Sequence, residues 1–200
     1  MTISAAQIKE LREATGAGVL DCRKALESSG GDMEKAAAQL REKGLALAAK
    51  RADRAMSNGI VELYSHGEGR VGVMVELNCE TDFVARTKEF RTFAHELALQ
   101  VAASAPTYVR PEDIPAELLE AERAKARDLA AQEGKPAEVV DKIIEGRLEK
   151  FYDERCLLRQ VYIRDDQKKV SDLLQEAIAS TGENIAVRRF ARWAVGEVIE

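Results

Sequence analysis

Residues 60–79, IVELYSHGEGRVGVMVELNC, decide how the rest of the chain has to fold. Four apolar side chains occupy every second position of the second half: Val71, Val73, Val75 and Leu77. Alternation with a period of two is typical of a strand with one buried face. Because the turn-forming triplet GEG at 67–69 divides the segment, the pattern predicts an antiparallel hairpin with strands at 60–66 and 70–79.

The turn of this hairpin also matches the pattern G-x-G-x-x-G, which is common in nucleotide-binding proteins. Gly67, Gly69 and Gly72 occupy its three glycine positions. A phosphate loop of this kind needs a helix after the glycines, since the phosphate binds at the N-terminus of that helix. A valine-rich strand follows here instead, so the sequence favours a plain hairpin turn over a phosphate loop.

Upstream of the hairpin, residues 1–45 show the spacing of three short helices. The first is predicted to begin with a capping box at Ser4, and the third to begin at Asp32 and end at Gly44. Residues 46–58 have the composition of a helical connector and lack a strong apolar stripe. The sequence therefore predicts a three-helix N-terminal domain at 1–45 and a connector at 46–58.

Downstream of the connector, residues 59–200 are predicted to form one core domain. Apolar residues at three- and four-residue steps predict helices around 90–101, 115–133, 137–155 and 170–182. Strand-like composition returns only at 184–195, and this last strand is expected to pair with the hairpin. The predicted fold class is therefore α+β, with a three-stranded antiparallel sheet packed against helices.

Composition excludes several classes of protein. The 200 residues carry a net charge of −5, whereas a broad nucleic-acid surface requires a basic domain. Cys22, Cys79 and Cys156 are odd in number and far apart, which argues against a disulfide framework and for a reducing compartment. The sequence shows neither a signal peptide nor an apolar stretch that could span a membrane, so we expect a cytoplasmic protein.

Side chains for catalysis or metal binding are sparse. His66 and His95 are isolated, and His95 is expected to be a partly buried histidine with a satisfied ring nitrogen. Glu76, Glu80 and Asp82 could suggest paired carboxylates for acid–base chemistry, but neither a nucleophile nor an electrophile lies nearby in the sequence. We therefore predict no catalytic residue, no metal site and no cofactor.

The run RRFARW at 188–193 combines arginines with aromatic rings and permits two interpretations. It could bind nucleic acid through stacking and phosphate contacts. It could equally be a strand with one apolar and one charged face. The acidity of the chain favours the strand, with its arginines paired to the acidic region 111–154.

The segment ELNCETDFVAR at 76–86 lies where the hairpin passes into a helix. Thr81 is the predicted N-cap, and Asp82 would favour the positive end of the helix dipole. Phe83 follows directly and permits two interpretations. It could plug the local core beside the cap, or it could be displayed for a partner; the residue pattern alone favours the first.

This segment resembles a signature of the bacterial translation elongation factor Ts family. LREATGAGVLDCRKAL at 11–26 is similar to the second signature of that family, and AAKRADR at 48–54 and GENIAVRRF at 182–190 also fit. The two signatures are long, independent and in the expected order. The resemblance covers nearly the whole chain.

The resemblance implies a guanine nucleotide exchange factor that binds elongation factor Tu, in its GDP-bound and nucleotide-free forms, and promotes GDP release. It implies a ubiquitin-associated-like fold for residues 1–45. A loop would insert near the magnesium and nucleotide site of the partner. The residues of this loop are Thr81, Asp82, Phe83 and Val84.

The resemblance also implies that a corner of the N-terminal domain docks on the nucleotide-binding domain of the partner. The residues of this second site are Arg12, Gly16, Ala17, Gly18, Val19 and Leu20. Val19 stands where the family usually has methionine, an exchange of one apolar residue for another. The chain looks like the short form, which is expected to pair as a homodimer, with no membrane and no direct nucleic-acid binding. An adaptor that uses residues 1–45 alone remains the rival hypothesis.

Overall fold

The N-terminal part of the computed structural model, which describes residues 3–51, 54–134 and 136–198, consists of three helices. These are α1 (Ala5–Thr15), α2 (Val19–Ser28) and α3 (Met33–Arg51). The Ser4 hydroxyl accepts a bond from the Gln7 amide at 3.2 Å, and the Gln7 side chain accepts one from the Ser4 amide at 3.0 Å. Asp32 likewise accepts from the Lys35 amide at 3.0 Å. Both predicted helix starts are confirmed.

Helix α3 does not end at Gly44, as the sequence predicts, but continues to Arg51. Gly44 is buried, and a Cβ built on it would lie 3.5 Å from the Cβ of Ala179. Gly44 therefore lies in the contact between α3 and the helix of Ala179 and does not mark a helix end. The connector is therefore helical over 46–51, and the division into domains at 45 and 58 stays a prediction.

Two small cores hold the helical parts together. Leu11, Cys22 and Leu26 are fully buried where the first three helices meet. A separate helical hairpin of α6 (Ala116–Gln132) and α7 (Ala137–Arg155) closes around its own apolar cluster. That cluster consists of Ala126, Ile144 and Leu148.

The main core lies under a three-stranded sheet. Strands β1 (Asn58–His66), β2 (Val71–Cys79) and β5 (Ile185–Ala194) are antiparallel in the order β1-β2-β5, which confirms the predicted fold class. The buried face of β2 packs against α5 (Lys88–Ser104), and α8 (Val170–Thr181) packs against α5 and β5 in the same core. The inward residues of β2 are Val73, Val75, Leu77 and Cys79, all buried.

Gly59 is required where β1 begins. A Cβ built on it would lie 2.2 Å from the carbonyl oxygen of Leu77 on the neighbouring strand, and the residue has φ +151°. Only glycine allows the two backbones to approach this closely.

The short hairpin of β3 (Val161–Tyr162) and β4 (Asp165–Lys169) was not predicted, because DDQKK shows no apolar alternation. A buried side chain from α5 holds this hairpin. Gln100 donates to the Val161 carbonyl at 3.1 Å and accepts from the Ile163 amide at 2.9 Å. Hydrogen bonds from a distant helix thus hold this hairpin, and no local pattern in the sequence reveals them.

Residues 188–193 lie in a strand, as predicted, but Arg189 and Arg192 do not share one charged face. Arg189 lies opposite Glu76, whereas Arg192 lies opposite the buried Val73 and donates to the Ala102 carbonyl at 3.4 Å. The partners of both arginines also differ from the prediction. Arg189 pairs with Glu76 at 2.7 Å and Arg192 with Glu197 at 2.9 Å. The predicted pairing with region 111–154 is therefore wrong for these two residues. Antiparallel register places Glu76 directly opposite Arg189, which a distant acidic helix cannot match.

The two histidines are satisfied by neighbours. His95 Nδ1 lies 2.9 Å from the Glu62 carboxylate, although its side chain is more exposed than predicted. His66 is exposed and bonded to the Tyr64 hydroxyl at 2.9 Å. Within the described ranges, no helix has the length and apolarity to cross a bilayer, and no cluster of three or more His, Cys, Asp or Glu could hold a metal ion.

Replacing Gly44 by alanine is expected to stabilise the protein. The new Cβ would make an ordinary van der Waals contact with Ala179, and alanine favours a helix interior over glycine by about 0.5–1 kcal/mol. We expect the midpoint of thermal unfolding, measured by scanning calorimetry, to rise by about 1–4 °C.

Gly59→Ala is the matched control, since the same substitution there meets the Leu77 carbonyl and should lower the midpoint. A lower midpoint for Gly44→Ala would contradict the packing of α3 on α8 described above.

Candidate functional site

One turn of helix after β2 displays a phenylalanine to solvent. Helix α4 (Asp82–Ala85) begins at Thr81, whose hydroxyl accepts a bond from the Val84 amide at 3.4 Å, which confirms the predicted cap. Phe83, the second residue of α4, is 80% exposed, whereas Ala85 at the end of the same turn is buried. The interpretation of Phe83 as a core plug is therefore wrong. Large apolar side chains at this exposure are candidates for contact with a partner.

The 81–84 loop is short and held by rigid elements at both ends. Val84 packs against the main core beside Ala85. Directly after the loop, the Thr87 hydroxyl accepts from the Phe90 amide at 3.2 Å and so begins α5. The inward residues anchor the turn, and Phe83 is left pointing away from the core.

Asp82 lies beside the exposed ring. Its carboxylate pairs with Arg86 at 2.9 Å, and both side chains are largely exposed. An exposed pair of this kind contributes little to stability, about 0–1 kcal/mol. The carboxylate is therefore accessible to a partner or to a cation that the partner carries.

The back of the 81–84 loop meets residues that sequence reasoning did not assign to the site. Residues 183–184, about a hundred positions downstream, bond to Glu80 and Thr81. The Cys79 thiol donates to the Thr81 carbonyl at 3.1 Å. Burial, followed by the nearby charge of Glu183, raises the pKa of this thiol. No local pattern in the sequence connects these residues; only the pairing of β2 with β5 does.

The 16–20 corner joins α1 to α2 and exposes two apolar side chains. Gly16 ends α1 in the left-handed region at φ +68°, and Gly18 is the N-cap of α2. Val19 and Leu20 then project into solvent, with Leu20 71% exposed. This corner is the second exposed apolar feature among the predicted site residues.

Two further residues of the predicted N-terminal site differ in their exposure to solvent. Arg12 is exposed on α1, as a contact residue requires. Ala17 instead is buried in the N-terminal core, and its carbonyl accepts a weak bond from the Cys22 thiol at 3.6 Å. Ala17 therefore shapes the corner from inside and offers little surface of its own.

The two predicted halves of the site border one cleft. Arg12 and Gly16 line it from the N-terminal helices, and Val84 lines it from the 81–84 loop. The cleft has a volume of about 660 Å³ and is polar at Glu13 and Glu89. Arg12, Gly16 and Val84 are the predicted site residues that line this cleft, whereas the exposed apolar side chains Val19, Leu20 and Phe83 are not among its lining residues.

Comparison with known proteins gives a consistent result along the chain. A family model described as Elongation factor TS matches residues 3–197. The chain is 60% identical over 198 residues to "Elongation factor Ts" of Caldanaerobacter subterraneus subsp. tengcongensis, with 99% of each chain covered. It is 56% identical over 197 residues to "Elongation factor Ts" of Coprothermobacter proteolyticus, with 98% of this chain and 100% of the relative covered. Both halves of the candidate site lie inside the matched length.

The thiols provide a direct test of the packing behind the 81–84 loop. Cys22, Cys79 and Cys156 are free and buried, and burial raises the pKa of Cys156 to about 11. Burial shields all three thiols, so we expect the folded protein to react slowly with a thiol reagent such as Ellman's. In the unfolded protein all three thiols should react at once, and each should release one equivalent of the coloured product of the reagent. A fast-reacting thiol in the folded protein would contradict the described packing.

Proposed function

The chain belongs to the elongation factor Ts family, and from this premise we propose that it is a guanine nucleotide exchange factor for elongation factor Tu. It binds the GDP-bound and the nucleotide-free partner and promotes GDP release during translation elongation, in the cytoplasm. The observation that carries the proposal is the exposed Phe83 ring on a short, anchored loop.

Exchange of this kind works by coupled binding and needs no covalent chemistry from this chain. If the chain weakens the affinity of the partner for GDP by some factor, GDP weakens the affinity for the chain by the same factor. The coupling must come from contacts that form only when the nucleotide site is distorted. The 81–84 loop supplies such contacts.

Phe83 acts as the wedge in this mechanism. Its ring gains burial only when helices of the partner separate to admit it, so its burial favours the open nucleotide site. Burying one phenylalanine contributes about 1.5–3 kcal/mol, and about 1.4 kcal/mol corresponds to a tenfold change in affinity. The wedge therefore accounts for a roughly ten- to hundredfold weakening of GDP binding.

Asp82 adds an electrostatic component. Its carboxylate stands next to the wedge and enters the magnesium and phosphate region with it, where its negative charge repels the phosphate oxygens that coordinate the ion. The 16–20 corner supplies the remaining affinity, because Val19 and Leu20 offer an apolar contact independent of the nucleotide. Arg12 and Gly16 of the N-terminal site line the same cleft as Val84 of the 81–84 loop, which supports contact of both parts with one partner.

Replacing Phe83 by alanine is expected to slow GDP release from elongation factor Tu by about ten- to a hundredfold at saturating exchange factor. Release of a fluorescent GDP analogue in a stopped-flow instrument measures this rate. Because the ring is 80% exposed, the midpoint of thermal unfolding should stay within the change typical of a surface substitution.

Phe83→Leu is the matched variant, since it keeps an apolar side chain at the same place, and we expect a smaller loss. An unchanged release rate in Phe83→Ala would exclude the wedge. Binding that is insensitive to GDP in a pull-down would instead favour the adaptor that uses residues 1–45 alone.

We further propose that two copies of the chain pair through the outer face of the sheet. That face carries apolar side chains that the described helices leave exposed, including Leu63 at 68% and Trp193 at 60%. Trp193 lies opposite Gly72, beside a groove of about 300 Å³ lined by Leu63 and Met74. A projection and a groove on one face suit the self-complementary contact of a twofold dimer.

Leu63→Glu is expected to convert the dimer into a monomer of 22.0 kDa, because it places an unpaired charge in the proposed interface. Sedimentation velocity at micromolar concentration measures the mass. Val161→Glu is the matched control, since Val161 is 52% exposed but lies outside this sheet. A monomeric unsubstituted protein would refute the pairing.

A further inference from the structure

Two acidic side chains connect residues 80–81, where the 81–84 loop begins, to residues 183–184, directly before β5. The Glu183 carboxylate accepts two bonds from Thr81, from its amide at 3.0 Å and from its hydroxyl at 2.5 Å. In the opposite direction, the Glu80 carboxylate accepts from the Asn184 amide at 2.7 Å. Bonds from an N–H or O–H group to a charged carboxylate are among the stronger hydrogen bonds in proteins.

Glu183 is itself held in place. Its amide donates to the Thr181 hydroxyl at 3.3 Å, where α8 ends, and β5 begins two residues later at Ile185. Ile185 pairs with Cys79 in the sheet and is buried. The carboxylate is therefore positioned by a helix end and a strand start, both part of the main core.

The Thr81 hydroxyl connects this carboxylate to the turn that displays Phe83. It donates to Glu183 and accepts from the Val84 amide at 3.4 Å. Since a hydroxyl has one proton, the bond to Glu183 directs that proton away from α4 and leaves a lone pair for Val84. Glu183 thus determines the orientation in which Thr81 caps the turn.

An exposed ring gains little packing inside its own molecule, so its position has to be set from behind. Phe83 is 80% exposed, and its neighbour Asp82 pairs only with the exposed Arg86 among the described ion pairs. The two bonds that Thr81 donates to Glu183 join this turn to a distant part of the chain.

We propose that Glu183 is a positioning residue for nucleotide exchange, which orders the 81–84 loop before the partner arrives. This inference rests on the proposed function of the loop. A preordered loop does not lose conformational freedom when it inserts, so the binding free energy is available to open the nucleotide site. Glu183 contacts neither nucleotide nor magnesium in this role.

Glu183→Gln tests the proposal, because glutamine keeps the size of the side chain but presents an amide donor to one of the two Thr81 donors. We expect the maximal rate of GDP release to fall about tenfold. The concentration of exchange factor at half-maximal rate should change by less than about twofold, since the 16–20 corner is unaltered. Protection of amides 81–85 from hydrogen exchange in the free protein, measured by mass spectrometry, should fall.

Glu96→Gln is the matched control. The Glu96 carboxylate also accepts two bonds from a distant segment, from the Tyr162 hydroxyl and from Arg164, both at 2.7 Å. It stabilises the β3–β4 hairpin and not the 81–84 loop, so its loss should leave GDP release unchanged. Thr81→Val should also lower the rate, because it removes the hydroxyl that bonds both to Glu183 and to the Val84 amide.

The outcomes separate this inference from the proposed function. Unchanged protection of amides 81–85 in Glu183→Gln overturns the inference. Slower release in Phe83→Ala with normal release in Glu183→Gln also overturns it, and leaves the wedge intact. Normal release in both variants overturns the inference together with the wedge. Loss of protection together with a lower maximal rate supports the inference.

Discussion

The pairing of β2 with β5 is the interaction on which the candidate site depends. Its register places Cys79 opposite Ile185, and the chain leaves the sheet at that point in two directions. One direction leads into the 81–84 loop, and the other leads back to residues 183–184 at the end of α8. Because both segments end at the same edge of the sheet, their carboxylates and backbone amides meet.

In both parts of the candidate site, buried residues that anchor the backbone alternate with exposed apolar residues. In the 81–84 loop, Val84 and the adjoining Ala85 pack inward and hold the backbone, while Phe83 faces solvent. In the 16–20 corner, Ala17 is buried while Leu20 is exposed. In both places a small or partly buried anchor supports an exposed apolar group, which keeps that group available without loosening the fold.

Local patterns in the sequence predicted much of the structure. The capping box at Ser4, the hairpin of 60–79 and the cap at Thr81 all depend on neighbours within a few residues, and all three are confirmed. Predictions that depend on distant neighbours were less successful. Gly44 does not end α3 but lies inside it, in contact with Ala179. Arg189 pairs with Glu76 because the strands meet in that register.

By itself, the sequence determined the fold class and, through two long signatures, the family; the residues of both halves of the site stay a prediction that the resemblance implies. The fold class and the family follow from periodicity and from residue identity, which are local. Only the tertiary structure decided that Phe83 is exposed, that the 16–20 corner borders the same cleft as the 81–84 loop, and that Glu183 bonds to Thr81. Exposure and long-range contacts depend on how separate elements pack, and an alternation of apolar and polar residues does not encode that packing.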